Sequence, residues 1–315
     1  MWRGAALGAL ALLGACGSLT HMEIDATDAG QRRDAGGGDL QIEADSLALP
    51  LIEQKKTRAI VVGVLLPDGS HQSFGYGSTE ADGGHRPDGD TLFAIGSVSK
   101  GFLSATAATL VQEGALGWDD TLEQLLPPGT PLSPAARRIT LLQLATHTSG
   151  LPRQPLTPRT LFYLIEYLFT GENFYRHFDR DYLLGYLAEF DGAPAAGTPV
   201  YSNIGYGLLG HVLELRSGKK VDRLVREKIL EPLQLTHTGY APEQLPGYAA
   251  RAQGQAGDQP KFIRRGEPVP DWRFSDVMVG SAALYSSAND LLGVAAAHLR
   301  GSGDALRDRA LQDTL

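Results

Sequence analysis

The sequence predicts a mixed α/β (α+β) fold, in which an antiparallel sheet flanked by helices is joined to an all-helical subdomain. Three observations support this fold class. A β-hairpin pattern lies near the start of the globular part, a mainly helical stretch runs from residue 97 to about residue 222, and the pattern then returns towards strand. A chain of 315 residues suits one large domain or two closely associated subdomains.

The hairpin is predicted from its two strands and the turn between them. Residues 58–66 (RAIVVGVLL) are rich in β-branched side chains and read as a buried strand. Pro67-Asp68-Gly69 provides a turn, and residues 71–76 alternate in polarity as a return strand should. A helix over residues 42–54 precedes the hairpin.

The helices of the helical subdomain, and the helix after it, are predicted from the helical spacing of apolar residues and from residues typical of helix ends. The pattern Ser287-Ala288-Asn289-Asp290 resembles a helix cap and opens the last of them. Helices are predicted over residues 100–113, 140–146, 161–169, 180–190, 204–216, 221–229 and 291–299.

Composition and charge exclude several classes of function. Hydrophobic residues make up 43% of the chain and charged residues 20%, as in ordinary globular proteins. The net charge of -8 argues against a nucleic-acid partner, because phosphates need a basic surface. No His/Cys cluster has the spacing of metal ligands, so we expect chemistry without a metal or other cofactor.

The N-terminal residues predict export from the cytoplasm. An apolar run over residues 5–15 ends in Leu13-Gly14-Ala15-Cys16, which resembles the lipobox of bacterial lipoproteins. We therefore predict a lipoprotein-type signal peptide over residues 1–16 and a lipid anchor on Cys16, with a flexible linker over residues 17–41 and the globular domain over residues 42–315. An ordinary secretory signal with an incidental cysteine is the alternative. Both interpretations send the protein out of the cytoplasm, and we expect it in the cell envelope or periplasm.

Ser97 and Lys100 form the motif that carries the chemistry. They are three residues apart at the start of a long apolar helix, so one helical turn brings them to the same face. Burial lowers the pKa of a lysine, and a neutral amine can accept the proton of a serine hydroxyl. A capping serine beside a solvated lysine is the alternative, and we favour it for the second match to this spacing, Ser217 and Lys220, which lies in a polar turn.

A second group, Tyr201-Ser202-Asn203, lies between a loop signal and a predicted helix. A tyrosine and an asparagine two residues apart at a helix start can both face a cleft. The phenol can relay a proton, and the amide can bind a substrate carbonyl and the lysine together. An aromatic side chain packed under a helix cap is the alternative interpretation.

With these motifs in place, the chain resembles the β-lactamase and penicillin-binding superfamily, most closely its class C branch. That branch includes class C β-lactamases, D-alanyl-D-alanine carboxypeptidase/endopeptidases and related esterases. The resemblance covers residues 47–299 and rests on segments that occur in the same order as in the family. These segments are residues 91–100, 139–152, 201–210, 229–240 and 280–291.

The resemblance implies a role for each matching residue. Ser97 is the nucleophile, Lys100 is a proton acceptor and Tyr201 is the acid/base partner. Asn203 contacts the substrate and the lysine, and Gln154 matches a family position that hydrogen-bonds a substrate amide carbonyl. The fold that it implies is that of β-lactamases and transpeptidases.

Other candidate residues are interpreted as structural. The resemblance makes His147, in the sequence Thr-His-Thr-Ser-Gly, part of a segment that ends a helix. Glu166 and Glu172 lack the sequence context of a deacylating glutamate, which favours the class C interpretation.

One family feature has no good match. The family's third motif, Lys/His-Thr/Ser-Gly, lies on an edge strand near the C-terminus and supplies an oxyanion N–H. His237-Thr238-Gly239 has the right letters but follows Asn203 too closely to be that strand. Only the hairpin is then left of the family's sheet, so we expect a fragment or a truncated gene product that is poorly folded or inactive as it stands.

The expected function is that of a serine hydrolase that forms an acyl-enzyme through Ser97. Its expected substrates are D-Ala-D-Ala peptidoglycan peptides or β-lactams. A carboxylesterase acting on small acyl esters is one alternative. A catalytically incomplete envelope protein with a binding or sensing role is another.

Overall fold

A computed structural model describes residues 39–193, 198–256 and 266–314 of the chain. Its strands are β1 (Ala59–Leu65), β2 (His71–Gly77), β3 (Phe93–Ala94) and β4 (Tyr285–Ser286). Its helices are α1 (Asp39–Glu53), α2 (Ser99–Gln112), α3 (Leu122–Leu125), α4 (Leu141–Ala145), α5 (Pro158–Thr170), α6 (Arg180–Glu189), α7 (Asn203–Ser217), α8 (Val221–Val225), α9 (Val279–Ala282), α10 (Ala288–Arg300) and α11 (Ala305–Gln312). The predicted α+β class is confirmed. Cys16, the signal peptide over residues 1–16 and most of the linker lie outside the described residues.

The predicted hairpin is present and packs between helices. β1 pairs with β2 in antiparallel register from Ala59 opposite Gly77 to Leu65 opposite His71. Gly69 in the connecting turn has φ +98°, a conformation that a residue with a side chain rarely adopts. On one side, α1 contributes buried alanines to a small core under β2. On the other side, α10 packs so closely on β1 that a Cβ atom at Gly63 would lie 2.9 Å from Leu292.

A second, short sheet joins distant parts of the chain and was missed in the sequence. β3 pairs with β4 in antiparallel register, Phe93 opposite Ser286 and Ala94 opposite Tyr285. The two sheets are separate, and among the described residues the hairpin strands pair only with each other. Strands of two residues are too short to show an alternating pattern, which explains why it was missed.

The main core lies in the helical part, around α2. Leu103, Ala107 and Ala108 on this helix are completely buried. The helices α3, α4, α6 and α7 contribute buried leucines to the same hydrophobic cluster. A helix buried on most sides in this way is a stable platform for residues at its N-terminal end.

Most predicted helices are confirmed, with differences at the ends. Residues 96–98 form a 3₁₀ turn ahead of α2, and the predicted helix over residues 221–229 divides into α8 and a π-helical turn, Arg226–Leu230. The helix α11 was not predicted, because ALRDRALQ is too polar to show an apolar face. Its start is fixed by Asp304, whose Oδ1 accepts a hydrogen bond from the Arg307 N–H at 2.8 Å. Within residues 39–193, 198–256 and 266–314, every helix is too short or too polar to cross a membrane.

Candidate active site

Ser97 lies in the 3₁₀ turn that connects β3 to α2, and its side chain is exposed. Gly96 before it has φ +50°, which allows the sharp change of direction. Ser99 fixes the turn because its hydroxyl donates to the Gly96 carbonyl at 2.6 Å and accepts from the Leu284 N–H at 3.0 Å. The short β3–β4 sheet continues this attachment, so the serine is held against the 284–286 segment.

Lys100 is the buried second residue of α2, and its side chain reaches back to Ser97. Its Nζ donates to Ser97 Oγ at 3.3 Å, to Asn203 Oδ1 at 2.8 Å and to the Ser281 carbonyl at 2.5 Å. Burial, with a smaller contribution from the positive charge of Arg153, lowers the pKa of Lys100 from 10.5 to about 7. Near neutral pH a large fraction of this amine is therefore unprotonated and able to accept a proton.

Tyr201 approaches Ser97 from the start of α7. Its hydroxyl donates to Ser97 Oγ at 2.5 Å, and its ring centroid lies 4.8 Å from Lys100 Nζ. Ser202 caps the helix by accepting the Gly205 N–H at 2.9 Å. The cap places Tyr201 just outside the helix and Asn203 just inside it, so both side chains face Lys100.

A tyrosine absent from the sequence predictions, Tyr175, connects two of the predicted residues. Asn203 Nδ2 donates to the Tyr175 hydroxyl at 2.6 Å, and this hydroxyl donates to Gln154 Oε1 at 3.1 Å. The Tyr175 ring belongs to the short 3₁₀ segment Phe174–His177 between α5 and α6. No spacing rule relates residue 175 to residue 203, and the capping residue Asn173 is the only local signal for this segment.

His147 supports Tyr201 and makes no hydrogen bond to Ser97 among the described residues. Its Nδ1 accepts the Ser202 N–H at 3.0 Å, and its carbonyl accepts the Val200 N–H at 2.8 Å. The imidazole lies 4.5 Å from the Tyr201 ring, between centroids. Burial and the nearby Lys100 charge lower the pKa of His147 to about 4, so the ring stays neutral at physiological pH.

The residues of the alternative motifs make other contacts. Ser217 ends α7 and its hydroxyl donates to the Leu213 carbonyl, while Lys220 contacts Glu214 and Asp276. In His237-Thr238-Gly239, which has the letters of the third motif, the Thr238 hydroxyl donates to Asp290 Oδ2 at 2.6 Å and Gly239 pairs with Tyr285.

The two glutamates considered as deacylating residues are ion-paired on the surface of the helical part. Glu166 contacts Arg176 at 2.5 Å and His177 at 2.7 Å, and Glu172 contacts Arg176 at 3.1 Å. Across the described ranges, no group of three or more His, Cys, Asp or Glu side chains is arranged to hold a metal ion.

The geometry therefore brings Ser97, Lys100, Tyr201 and Asn203 into one cluster, with Gln154 attached through Tyr175. The Ser97 hydroxyl oxygen has two hydrogen-bond partners that can exchange protons, the Lys100 amine and the Tyr201 hydroxyl. The pKa of Lys100 is lowered to about 7. Such a hydroxyl can act as a nucleophile on a carbonyl carbon.

Comparison with known proteins identifies a family. The profile of the Beta-lactamase family matches residues 44–314. A Beta-lactamase of Pseudomonas fluorescens is 31% identical over 224 residues, which are 70% of this chain and 56% of that protein. The D-alanyl-D-alanine-carboxypeptidase/endopeptidase AmpH of Escherichia coli is 31% identical over 186 residues, 58% of this chain and 45% of that protein. The chain thus spans about half the length of these curated relatives.

Solved structures share the fold over most of the chain. The D-alanine carboxypeptidase AmpC of Burkholderia cenocepacia has a TM-score of 0.67 and 25% identity, and the alignment covers 88% of this chain and 69% of that one. A class C beta-lactamase of Rhodobacter sphaeroides has a TM-score of 0.68 and 26% identity, covering 85% and 69%. The chain belongs to the beta-lactamase family.

Proposed function

We propose that the chain carries the acylation site of a serine hydrolase, with Ser97 as its nucleophile. The observation that supports this most directly is the position of Ser97 Oγ, 3.3 Å from Lys100 Nζ and 2.5 Å from the Tyr201 hydroxyl. Lys100 is buried by the fold, and its lowered pKa supports a role as proton acceptor.

The reaction proceeds through an ester of Ser97. Lys100 accepts the Ser97 proton as Oγ bonds to the carbonyl carbon, and the Ser97 N–H is one donor to the resulting oxyanion. The carbon–nitrogen bond of the amide or lactam then breaks as the Tyr201 hydroxyl donates its proton to the leaving nitrogen, and Tyr201 takes a proton back from Lys100. Water hydrolyses the ester and regenerates Ser97.

The proposed substrates are D-Ala-D-Ala peptidoglycan peptides or β-lactams. Support comes from the relatives, which are named as β-lactamases and as D-alanyl-D-alanine carboxypeptidases. Asn203 and Gln154 have amide groups suited to binding a substrate carbonyl, and hydrogen bonds through Tyr175 connect both to Lys100.

We also propose that the protein is exported and lipid-anchored through Cys16. Support comes from the position of the chain's single cysteine directly after Leu13-Gly14-Ala15. Incorporation of labelled palmitate into the full chain, compared with Cys16→Ala, tests this proposal. Equal incorporation in both proteins would contradict it.

Covalent labelling tests the catalytic proposal. A fluorescent penicillin should label the wild-type chain, and Ser97→Ala should lose the label. If instead only p-nitrophenyl esters are turned over, and Ser97 is required, the site is that of a carboxylesterase. Ser97-independent labelling would contradict the proposal.

A further inference from the structure

The helix α5 turns apolar side chains towards solvent. Leu161, Phe162, Ile165 and Phe169 are between 41% and 66% exposed. Their spacing of three or four residues places them on one side of the helix. We call these four residues the outer face of α5. Monomeric proteins seldom leave a continuous apolar face in water, so the outer face indicates a binding surface.

Side chains on the other side of α5 attach the helix to the domain. Thr160 is buried. The Tyr163 ring stacks on His177 at 4.3 Å between centroids, and the Tyr167 ring packs edge-on against Phe174 at 6.3 Å. These contacts hold the helix in place without the outer face.

Both ends of the outer face have an exposed arginine nearby. Arg159 lies three residues before Phe162 and therefore beside it on the helix surface. At the other end, Trp272 donates its indole N–H to the Gly171 carbonyl at 3.1 Å and is 43% exposed. The exposed Arg273 follows it directly in the chain. The two ends are thus cationic, although the chain as a whole has a net charge of -8.

The carboxylates of α5 and of the loop after it are ion-paired within the fold. Glu166 contacts Arg176 at 2.5 Å and His177 at 2.7 Å, and Glu172 contacts Arg176 at 3.1 Å. These ion pairs reduce the negative charge beside the outer face, so they weaken its repulsion of an anionic surface.

An apolar stripe flanked by a tryptophan and by arginines has the composition of a helix that lies in the surface of an anionic bilayer. We propose that the outer face of α5 docks the domain onto an anionic lipid bilayer. The apolar side chains of the outer face then lie among the acyl chains, and Arg159 and Arg273 lie at the level of the phosphates. This inference goes beyond the proposed catalytic function and draws support from the proposed lipid anchor.

The segment between the proposed anchor and the domain is long enough for this arrangement. Residues 17–38 separate Cys16 from the start of α1. A chain of this length can extend to about 75 Å, whereas a domain of this size is about 50 Å across. Any side of an anchored domain can therefore reach the bilayer, and the outer face selects α5.

Quenching of Trp272 by brominated lipid tests the inference on the full chain. Trp2→Phe and Trp118→Phe leave Trp272 as the only tryptophan and form the background of every variant. The vesicles contain phosphatidylglycerol and dibrominated phosphatidylcholine. The Trp272 emission should be quenched and shifted to shorter wavelength in these vesicles, because docking brings the indole to the headgroup level.

Phe162→Gln/Ile165→Gln removes two apolar side chains from the outer face. The docking equilibrium constant obtained from the quenching should fall about tenfold or more. Leu47→Gln/Leu299→Gln is the matched control, because it removes two exposed leucines from α1 and α10, and it should leave the quenching unchanged. Thermal unfolding should be the same in both double variants.

Arg159→Gln tests the contribution of charge. It should lower the docking constant about twofold to fivefold on vesicles with phosphatidylglycerol, and it should have no effect when neutral phosphatidylcholine replaces that lipid. An equal effect on both kinds of vesicle would overturn the choice of an anionic surface.

Docking and anchoring can fail independently. Cys16→Ala is measured in parallel, and Phe162→Gln/Ile165→Gln should reduce Trp272 quenching in that background as well. Quenching that is absent, or that persists unchanged in the outer-face variant, would overturn the inference, whereas a lack of palmitate incorporation would overturn only the anchor. A dimer in sedimentation that the outer-face variant abolishes, without quenching in the parent chain, would assign the outer face to a second copy and also overturn the inference.

Discussion

The Tyr201 hydroxyl donates a hydrogen bond to Ser97 Oγ over 2.5 Å, although the two residues are 104 positions apart in the chain. Ser97 lies in the 3₁₀ turn just before α2, and Tyr201 lies just before the Ser202 cap of α7, so their contact depends on how these two helices pack. Lys100 lies between them, with its amine 4.8 Å from the Tyr201 ring centroid. We therefore make separate predictions for Tyr201 and for Lys100.

Replacing Tyr201 by phenylalanine should slow acylation without unfolding the protein. The ring is 38% exposed and its packing is retained, so only the hydroxyl is lost. General acid–base catalysis by one side chain contributes about 10²–10⁴-fold, and a loss in this range is expected. Stopped-flow acylation with a chromogenic β-lactam or ester measures it, and thermal unfolding checks the fold. A rate within threefold of wild type would exclude Tyr201 from proton transfer.

Replacing Lys100 by arginine should abolish acylation while keeping a positive charge at the site. A guanidinium does not lose its proton in proteins and so cannot accept that of Ser97. Lys100→Met is the companion variant, because it removes the charge as well. Both variants should be slower than wild type by about 10² or more, as expected for loss of a general base. Substantial activity in Lys100→Arg would show that the lysine acts only through its charge.

The pH dependence of acylation should follow the ionisation of Lys100. Its pKa is lowered to about 7, so the amine is protonated below this pH and the rate should fall about tenfold per pH unit there. Above pH 7 the rate should level off. Arg153→Gln removes a positive charge that lowers this pKa, so the midpoint should move to higher pH. A midpoint that does not respond to Arg153→Gln would contradict this assignment.

His147 should be replaceable by asparagine but not by alanine. Asparagine Oδ1 can accept the Ser202 N–H in place of Nδ1, and asparagine tolerates the φ of +61° found at this position. Alanine leaves this N–H without its partner, so the backbone next to Tyr201 should be held less firmly and the Tyr201 hydroxyl should contact Ser97 less often. We expect near wild-type acylation for His147→Asn and a loss of about tenfold for His147→Ala, the size of one hydrogen bond. Equal rates for the two variants would show that the imidazole acceptor is unimportant.

The parts of the structure that follow from the sequence are those with local signals. The hairpin has β-branched strands around Pro67-Asp68-Gly69, and α2 and α7 have long apolar faces. The pairing of Ser97 with Lys100 needs only one turn of helix, and the 3.3 Å distance between their side chains agrees with that prediction.

The parts that were missed depend on contacts between distant segments. The β3–β4 sheet has two residues in each strand, too few to show a pattern. Lys100 binds the Ser281 carbonyl, a backbone group that no side-chain motif can reveal. Tyr175 contacts Asn203 but belongs to an aromatic segment, where it lies beside Phe174. From the sequence alone, each of these aromatic residues could equally be an ordinary core residue.

The most direct test of the account identifies the residue that is acylated. The wild-type chain, Ser97→Ala and Ser217→Ala are treated with a fluorescent penicillin and, separately, with a serine-reactive fluorophosphonate, and intact mass and peptide maps are recorded. Ser217 is the matched control because it also precedes a lysine by three residues. We predict one adduct on Ser97 in the wild type and in Ser217→Ala, and none in Ser97→Ala. An adduct that persists in Ser97→Ala, or that maps to another residue, would contradict the account.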